Sequence, residues 1–383
     1  MHHHTADLYT RNISGCGLSG MMSLTGERVD GRGIRDSIAL LHDRSNGLGG
    51  GFAAYGIYPD FPRHFAFHIM YYSADAKDAA EKALDTGFDC ARDERIPTRL
   101  VEGVADPPLL WRYFATPKPE AVAQSQSASD EDFVLREVMR INAEVSDAYV
   151  FSSGQNMGAF KGVGYAEDIA DFYRLEDYQA YIWIAHGRFP TNTPGWWAGA
   201  HPFTLLDWAV VHNGEISSYG INKRYLEMFG YRCTMRTDTE VMAYLLDLLV
   251  RRHGLPIEVA CKVIAPPFWK AVDRMEPEQR DLYRALRQVY ASALVNGPFA
   301  IIFAHRDGMV GVNDRIKLRP MVAARKDDFL YISSEEAAIR AMCANPDTVW
   351  SPRAGEPVIG CRGQDVSTSA PLVSSTEVAH ATA

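Results

Sequence analysis

The chain has 383 residues, 47% of them hydrophobic, which is enough for a substantial core. It carries 39 basic and 48 acidic side chains and a formal charge of −9. This acidic balance argues against a nucleic-acid-binding protein and against a polybasic surface for anionic lipid. No apolar run is long enough to cross a bilayer, and the polar start has no secretory h-region. We therefore expect a cytoplasmic protein that acts on a small molecule or a protein partner, with no nucleic acid and no membrane involved.

The cysteines and histidines give no sign of a metal centre. Six cysteines are spread along the chain and none is spaced as CxxC, which argues against a disulfide scaffold and a cysteine-built zinc site. Three histidines, His186, His201 and His212, fall at predicted strand ends without helical ligand spacing. We expect no metal.

The first third of the chain begins with a polar, aperiodic segment, residues 1–15, which indicates a leader. CGLSGMMSL then predicts a short strand, and residues 33–41 predict a helix. NGLGGG is interpreted as a flexible turn before another strand, because it lacks the GK[ST] of a phosphate-binding loop. The hydrophobic period changes from near 2 in residues 65–72 to near 3.6 in residues 74–88, which predicts a strand followed by a helix.

The segment TPKPEAVAQSQSASDED, residues 116–132, is rich in Pro, Ser, Gln and acidic residues, and we predict an exposed insertion loop or linker. Further on, strands and helices mix without a regular βαβ alternation, which predicts an α+β layered fold. We place one domain at residues 16–365 and a disordered Ser/Thr/Ala-rich tail at residues 366–383. The later predicted strands are 149–152, 180–186, 208–212, 299–305, 309–313, 321–325 and 329–333, and the later predicted helices are 239–253 and 276–292.

Cys16 is the first candidate for chemistry, although such a cysteine is usually only a small core residue. At the amino terminus of a mature chain, a cysteine carries its own general base, because the α-amine has a pKa of about 7.7–8.0. Removal of the initiator would expose His2, and no methionine lies between Met1 and Cys16. The catalytic role therefore requires cleavage between Gly15 and Cys16.

Three further candidates each have a structural alternative. Arg188 ends the apolar strand YIWIAH, where it can bind a carboxylate through two parallel bonds or lie at the surface. In VVHNGEI, Asn213 and Gly214 form either a hairpin turn or two donors of an oxyanion hole. In RTDTEV, Asp238 either caps the following helix or accepts a substrate ammonium. Together the four sites suit an amino acid with a reactive side-chain amide.

The motifs resemble those of class II glutamine amidotransferases, which are amino-terminal nucleophile hydrolases. The matching pieces, which reach from Cys16 to about Arg340, are CGLSG, HGRFPTNT, HPF, VVHNGEI, TDTE, NGPFAIIF, DRIKLRPM and ISSEEAAI. HGRFPTNT and HNGEI look most like glutamate synthases, and LLHDRSNGLGGGFAAYGIYP looks like the separately encoded archaeal-type amidotransferase subunit. The leader before Cys16 is similar to the short propeptide of glutamate synthases.

The resemblance implies a four-layer αββα sandwich and a role for each matched residue. Cys16 would be the nucleophile, and Asn213 with Gly214 the oxyanion hole. Arg188 would hold the glutamine α-carboxylate and Asp238 its α-ammonium. Thr191 and His201 lie in matching motifs and are assigned to substrate binding.

The resemblance also implies a partner, since the chain shows no flavin, nucleotide or iron–sulfur signature. We expect no cofactor here, and ammonia from glutamine would pass to a separate glutamate synthase subunit that carries FMN and iron–sulfur clusters. Three alternatives remain: an N-methylglutamate synthase-like enzyme, a free-standing amide hydrolase, and a glutamine-sensing subunit without turnover.

Overall fold

A computed structural model of the chain describes residues 15–189 and 195–368. The strands are β1 (Gly17–Ser23), β2 (Val29–Asp30), β3 (Gly50–Tyr55), β4 (Phe65–Tyr71), β5 (Phe88–Arg95), β6 (Leu109–Pro117), β7 (Ala148–Ser152), β8 (Met157–Gly162), β9 (Gln179–Ala180), β10 (Ile182–Gly187), β11 (Phe203–Leu205), β12 (Trp208–Gly214), β13 (Phe299–His305), β14 (Gly308–Asn313), β15 (Val322–Lys326), β16 (Phe329–Ser333), β17 (Thr348–Trp350), β18 (Val358–Cys361) and β19 (Ser367–Thr368).

The helices are α1 (Arg32–Ala39), α2 (Ala74–Gly87), α3 (Pro119–Ser125), α4 (Asp130–Glu144), α5 (Ala166–Phe172), α6 (Tyr219–Glu227), α7 (Asp238–Leu246), α8 (Ile257–Ile264), α9 (Trp269–Val272), α10 (Pro277–Val289) and α11 (Glu336–Met342). A π-helical segment, Asp247–Arg252, continues α7. No helix within the two described ranges combines the length and apolarity that a membrane span requires.

Two antiparallel sheets face each other at the centre. One has seven strands in the order β17-β15-β16-β1-β10-β3-β8, and the other has six in the order β11-β12-β13-β14-β18-β19. Because side chains alternate along a strand, each sheet offers one apolar face to the other. The buried side chains between the sheets include Leu18, Met22, Ile184, Val211 and Ile302.

Helices cover both outer faces. The opposite faces of β1 and β10, with Met21 and Trp183, pack under α1, α5 and α11. The outer face of the six-stranded sheet, with Ile301 and Phe303, packs against α7 and α8. The predicted four-layer αββα sandwich is therefore confirmed.

A third sheet lies beside the sandwich and was not predicted as a unit. It has the order β5-β6-β4-β7 and packs against α2 and α4.

The prediction of an exposed loop or linker at residues 116–132 is wrong, because this segment contains the end of β6, all of α3 and the start of α4. Pro119 occupies the first turn of α3, and the Ser129 hydroxyl accepts a hydrogen bond from the Asp132 amide. Proline, serine and acidic residues are favourable at helix starts, so a composition typical of linkers here begins two helices.

The predicted disordered tail is also wrong at its first residues. Ser367 and Thr368 form β19, which pairs with Ile359 and Val358 at the edge of the six-stranded sheet. Backbone pairing does not depend on apolar side chains, so a Ser/Thr-rich sequence extends the sheet as well as any other. The rest of the tail, residues 369–383, lies outside the described residues, as do leader residues 1–14.

Candidate active site

The strand order brings the ends of three strands to one edge of the sandwich. β1 runs antiparallel to β10 with Gly17 opposite Gly187, so the residue before β1, Cys16, lies beside the residue after β10, Arg188. In the facing sheet β12 ends at Gly214. The amino terminus of α7, with Asp238, completes this edge.

These ends surround a cavity of about 240 Å³, lined by Cys16, Arg188, His201, Gly214 and Asp238 among others. Five of the seven residues that the sequence singled out therefore line one cavity. Asn213 is buried next to Gly214 on β12. Thr191, the seventh, lies outside the described residues.

The thiol of Cys16 is held at the cavity wall. Its Sγ atom lies 3.3 Å from the Phe189 amide nitrogen, which donates to it. Burial raises the pKa of this thiol, although the Phe189 amide and the cationic groups of Arg188 and Arg319 favour the thiolate. The thiol is therefore protonated at neutral pH and needs a base before it can act as a nucleophile.

Two arginines lie beside Gly15 and Cys16, and neither was assigned a role from the sequence. Arg44 donates through Nε to the Cys16 carbonyl at 3.4 Å, and its other end pairs with Glu335 at 2.8 Å. A Cβ atom built on Gly15 would lie 3.4 Å from Arg44 and 3.7 Å from Arg319. Arg319 belongs to the DRIKLRPM motif, so the sequence contained a motif that could have identified it as a site residue.

Asn213 and Gly214 have the local structure that an oxyanion hole needs. The Asn213 side chain is buried, and its Nδ2 has no hydrogen-bond partner among the described residues. Gly214 has a φ of +151°, and a Cβ atom there would lie 1.9 Å from the Pro298 carbonyl oxygen. Only glycine fits this backbone, which turns the chain out of β12 at the cavity. The hairpin alternative is wrong, because the chain continues into α6 rather than into a paired strand.

Arg188 is fixed by the glycine-rich segment before β3. The Arg188 amide donates to the Gly49 carbonyl at 2.9 Å, and the Arg188 carbonyl accepts from the Ser45 hydroxyl at 3.0 Å. Burial lowers the pKa of the guanidinium, while Cys16 and Asp238 favour its charged form. Arg188 is buried, so the surface alternative is wrong. The segment interpreted as a flexible turn therefore has a defined structural role.

Asp238 is the first residue of α7 rather than its cap. The cap is Thr237, whose hydroxyl accepts from the Thr239 amide at 3.3 Å. The Asp238 carboxylate accepts from the Ile216 amide at 2.9 Å and lies 3.6 Å from His212 Nδ1. Burial opposes its ionisation, but His212, the Ile216 amide and Thr239 outweigh burial and lower the pKa of Asp238 to about 2. Asp238 is therefore a fixed negative charge at neutral pH, as an ammonium acceptor requires.

A buried hydroxyl joins His201 to this carboxylate. Thr239 Oγ1 lies 2.8 Å from His201 Nε2, 3.1 Å from His212 Nδ1 and 3.3 Å from Asp238 Oδ1. A hydroxyl donates one hydrogen bond and accepts two, so it donates to Asp238 and accepts from both rings. Burial lowers the pKa of His201 well below its usual range, so that ring is neutral with its proton on Nε2. Sequence reasoning missed Thr239, although the TDTE motif contains it.

Comparisons with known proteins agree with this architecture. Residues 104–346 match the family model described as glutamine amidotransferases class-II. An uncharacterised protein of Archaeoglobus fulgidus is 52% identical over 348 residues, covering 90% of this chain and 92% of that protein. The amidophosphoribosyltransferase of Methanocaldococcus jannaschii is 26% identical over 197 residues, covering 50% of this chain and 36% of that protein. The glutamate synthase [NADPH] large chain of Bacillus subtilis is 28% identical over 217 residues, covering 50% of this chain and 14% of that protein.

The chain thus belongs to the class II glutamine amidotransferase family, as the motifs predicted. It spans well under half the length of the two named relatives that have an assigned activity. Their whole activities, substrates and partners therefore do not transfer with the family.

Proposed function

We propose that this chain is the glutaminase subunit of a two-component synthase. It hydrolyses glutamine to glutamate and passes the ammonia to a separate subunit. The proposal is supported above all by the shared cavity, whose walls include the Cys16 thiol, a cation, Arg188, and a fixed anion, Asp238. These two charges suit the α-carboxylate and α-ammonium of one amino acid, with its side chain directed at the thiol.

The chemistry needs a free α-amine on Cys16. In the full sequence that nitrogen is the amide of the Gly15–Cys16 bond, and burial keeps the thiol protonated. Cleavage before Cys16 supplies an amine that takes the thiol proton. The sulfur then bonds to the side-chain amide carbon of glutamine, while Asn213 and Gly214 stabilise the oxyanion. The amine proton leaves with ammonia, and water hydrolyses the remaining γ-glutamyl thioester to glutamate and the free thiol.

We infer that the acceptor subunit is a glutamate synthase that aminates 2-oxoglutarate and carries the FMN and iron–sulfur clusters. The match to the Bacillus subtilis glutamate synthase large chain supports this choice. The motifs that resemble the separately encoded subunit also support it. An N-methylglutamate synthase-like partner differs only in the amine acceptor, so both share the glutaminase step.

Turnover of glutamine tests the glutaminase step. The protein that begins at Cys16 should release glutamate and ammonia, and Cys16→Ala should abolish the release. Cys90→Ala is the matched control, because Cys90 is an exposed cysteine on β5, and it should retain full activity. Equal activity in the Cys16→Ala variant and in the unsubstituted protein, both beginning at residue 16, would refute the nucleophile if that unsubstituted protein is active.

Isotope transfer tests the partner. Glutamine labelled with ¹⁵N at the side-chain amide is supplied with 2-oxoglutarate, the purified acceptor subunit and excess unlabelled ammonium. The proposal predicts ¹⁵N in the amino group of the new glutamate without dilution by the ammonium. Full dilution of the ¹⁵N label by the unlabelled ammonium would favour a free-standing amide hydrolase. Full glutaminase activity in the absence of the acceptor subunit would favour it as well. Binding of glutamine without turnover would favour a sensing subunit.

A further inference from the structure

A second, smaller cavity is lined by two buried charged groups and by Met235, which directly precedes a wall residue of the first cavity. Its volume is about 20 Å³, and its walls include Lys161 of β8, Glu240 and Tyr244 of α7, and Met235. Both charged side chains are almost fully buried, Lys161 at 3% and Glu240 at 1% exposure. A cavity of this size admits about one water molecule, so solvent does not screen the two groups.

Lys161 holds the loop that precedes β11. Its Nζ atom donates to the Ala198 carbonyl at 2.9 Å and to the Pro202 carbonyl at 3.2 Å. His201, which lines the candidate glutamine cavity, lies between these two anchor points. One ammonium group therefore ties both ends of the segment that carries His201.

Glu240 holds the segment that precedes α7. Its carboxylate accepts from the Thr234 amide at 2.9 Å and from the Met235 amide at 3.0 Å. The next two residues, Arg236 and Thr237, line the candidate glutamine cavity, and Asp238 follows. Arg236 has a φ of +54°, a conformation that a non-glycine residue adopts only when its surroundings impose it.

We propose that Lys161 and Glu240 are positioning residues of the glutamine site, which they shape through the loops on either side of it. The proposal rests on the proposed glutaminase function. Neither side chain lines the glutamine cavity, so both act through His201 and through Thr237 and Asp238. Both side chains line the small cavity, and each favours the charged form of the other.

Burying these groups is unfavourable, and this cost argues for a specific role. Burial lowers the pKa of Lys161 to about 7 and raises the pKa of Glu240 to about 7. An apolar pair would fill the same space without that cost. An apolar pair, however, could neither donate to the two carbonyls nor accept from the two amides, and charged groups make the strongest bonds of this kind.

Hydrogen exchange and kinetics of Glu240→Gln test the proposal. Glutamine at position 240 keeps the size of the side chain but replaces one acceptor oxygen with a donor, so one of the two loop amides loses its acceptor. We expect faster exchange confined to residues 232–237, a KM for glutamine raised roughly tenfold, and a kcat changed less than about threefold. Lys161→Met removes the bonds to Ala198 and Pro202, so it should raise the KM for glutamine by a similar factor through the loop that carries His201.

Tyr244→Phe is the matched control. It removes a hydroxyl that donates to Glu240 at 3.0 Å and leaves the bonds to the loop in place, so KM should stay within about twofold. An unchanged KM in a folded Glu240→Gln protein, or an equal KM increase in Tyr244→Phe, would overturn the proposal. If Glu240→Gln does not fold, hydrogen exchange in the unsubstituted protein decides the matter. Thr234 and Met235 amides that are as well protected as the amides of α7 would support the proposal. Rapid exchange of these two amides would contradict it. A protein that begins at Cys16, is otherwise unchanged and does not turn over glutamine refutes the glutaminase function, whereas the exchange result still decides whether Glu240 orders the loop.

Discussion

His201 Nε2 lies 2.8 Å from the hydroxyl oxygen of Thr239, so the loop after β10 is tied to the helix that carries Asp238. These residues are 38 positions apart in the sequence, and both line the candidate glutamine cavity. Thr239 accepts from His201 and from His212 and donates to Asp238. The Asp238 carboxylate is thus linked to both histidines through one hydroxyl.

Replacing Thr239 with valine should damage the site while preserving its shape. The change leaves the buried His201 Nε2–H without its acceptor and takes one of two acceptors from His212 Nδ1–H, which keeps Asp238. A buried donor left without a partner costs about 1–3 kcal/mol. We expect a lower unfolding free energy by about 2 kcal/mol or more and a higher KM for glutamine. Thr239→Ser keeps the hydroxyl and should restore both values. Urea unfolding and steady-state kinetics measure the effect, and equal values for the valine and serine variants would contradict the network.

Asn213→Ala should slow the reaction without weakening substrate binding. If the Asn213 amide is a main donor to the oxyanion, its loss costs about 2.7–4 kcal/mol of transition-state stabilisation, or roughly 10²- to 10³-fold in kcat. KM should change little, because the oxyanion forms only during the reaction. Steady-state kinetics with glutamine decide the matter, and normal turnover in the variant refutes the assignment.

Asp238→Asn should weaken recognition of the substrate ammonium. Loss of a charge-assisted bond of about 1.5–3 kcal/mol predicts a kcat/KM for glutamine lowered roughly 10- to 100-fold. The monoamide of glutaric acid, which is glutamine without the α-ammonium, provides the control. The unchanged protein should strongly prefer glutamine over this compound, and the variant should lose most of that preference. If the variant retains the full preference, another group receives the ammonium.

The buried ring of His186 should resist protonation in mild acid. Burial lowers the pKa of His186, which stacks on His201, to about 3. An unfolded histidine takes up a proton near pH 6.5, so the unfolded state binds more protons between about pH 6.5 and 3. The neutral ring's contribution to stability is therefore complete above pH 6.5 and declines as the pH falls toward 3. NMR titration of the imidazole signals should show a neutral His186 ring at pH 5. A titration midpoint near pH 6.5 would contradict the buried position of this ring.

The chemistry-bearing strand ends could be predicted because their motifs are local. Cys16, Arg188 and Asn213 each lie at the end of a clear apolar strand, and antiparallel pairing of β1 with β10 brings the first two together. Thr239 could not be assigned a role, because its partners depend on how α7 docks against two distant segments. Glu240 was missed for the same reason, since its bonds reach backward to a loop with no periodic pattern.

The third sheet escaped prediction for a different reason. β5 has the sequence FDCARDER, in which all but the first side chain are exposed or half-exposed, so it has no apolar face to detect. It is held by pairing with β6 and by polar contacts across that pair, such as Arg112 to Glu94 at 2.7 Å and Trp111 to Asp93 at 3.0 Å. Edge strands of this kind are specified by their neighbour rather than by their own hydrophobic pattern.

The most direct measurement is covalent trapping of the nucleophile. A glutamine analogue with a diazoketone in place of the side-chain amide is incubated with the protein, and intact-mass and peptide mass spectrometry locate the adduct. We predict a chain that begins at Cys16, with one adduct on that residue and complete loss of glutamine turnover. An adduct on another cysteine, or glutamine turnover by a chain that retains residues 1–15, would contradict it.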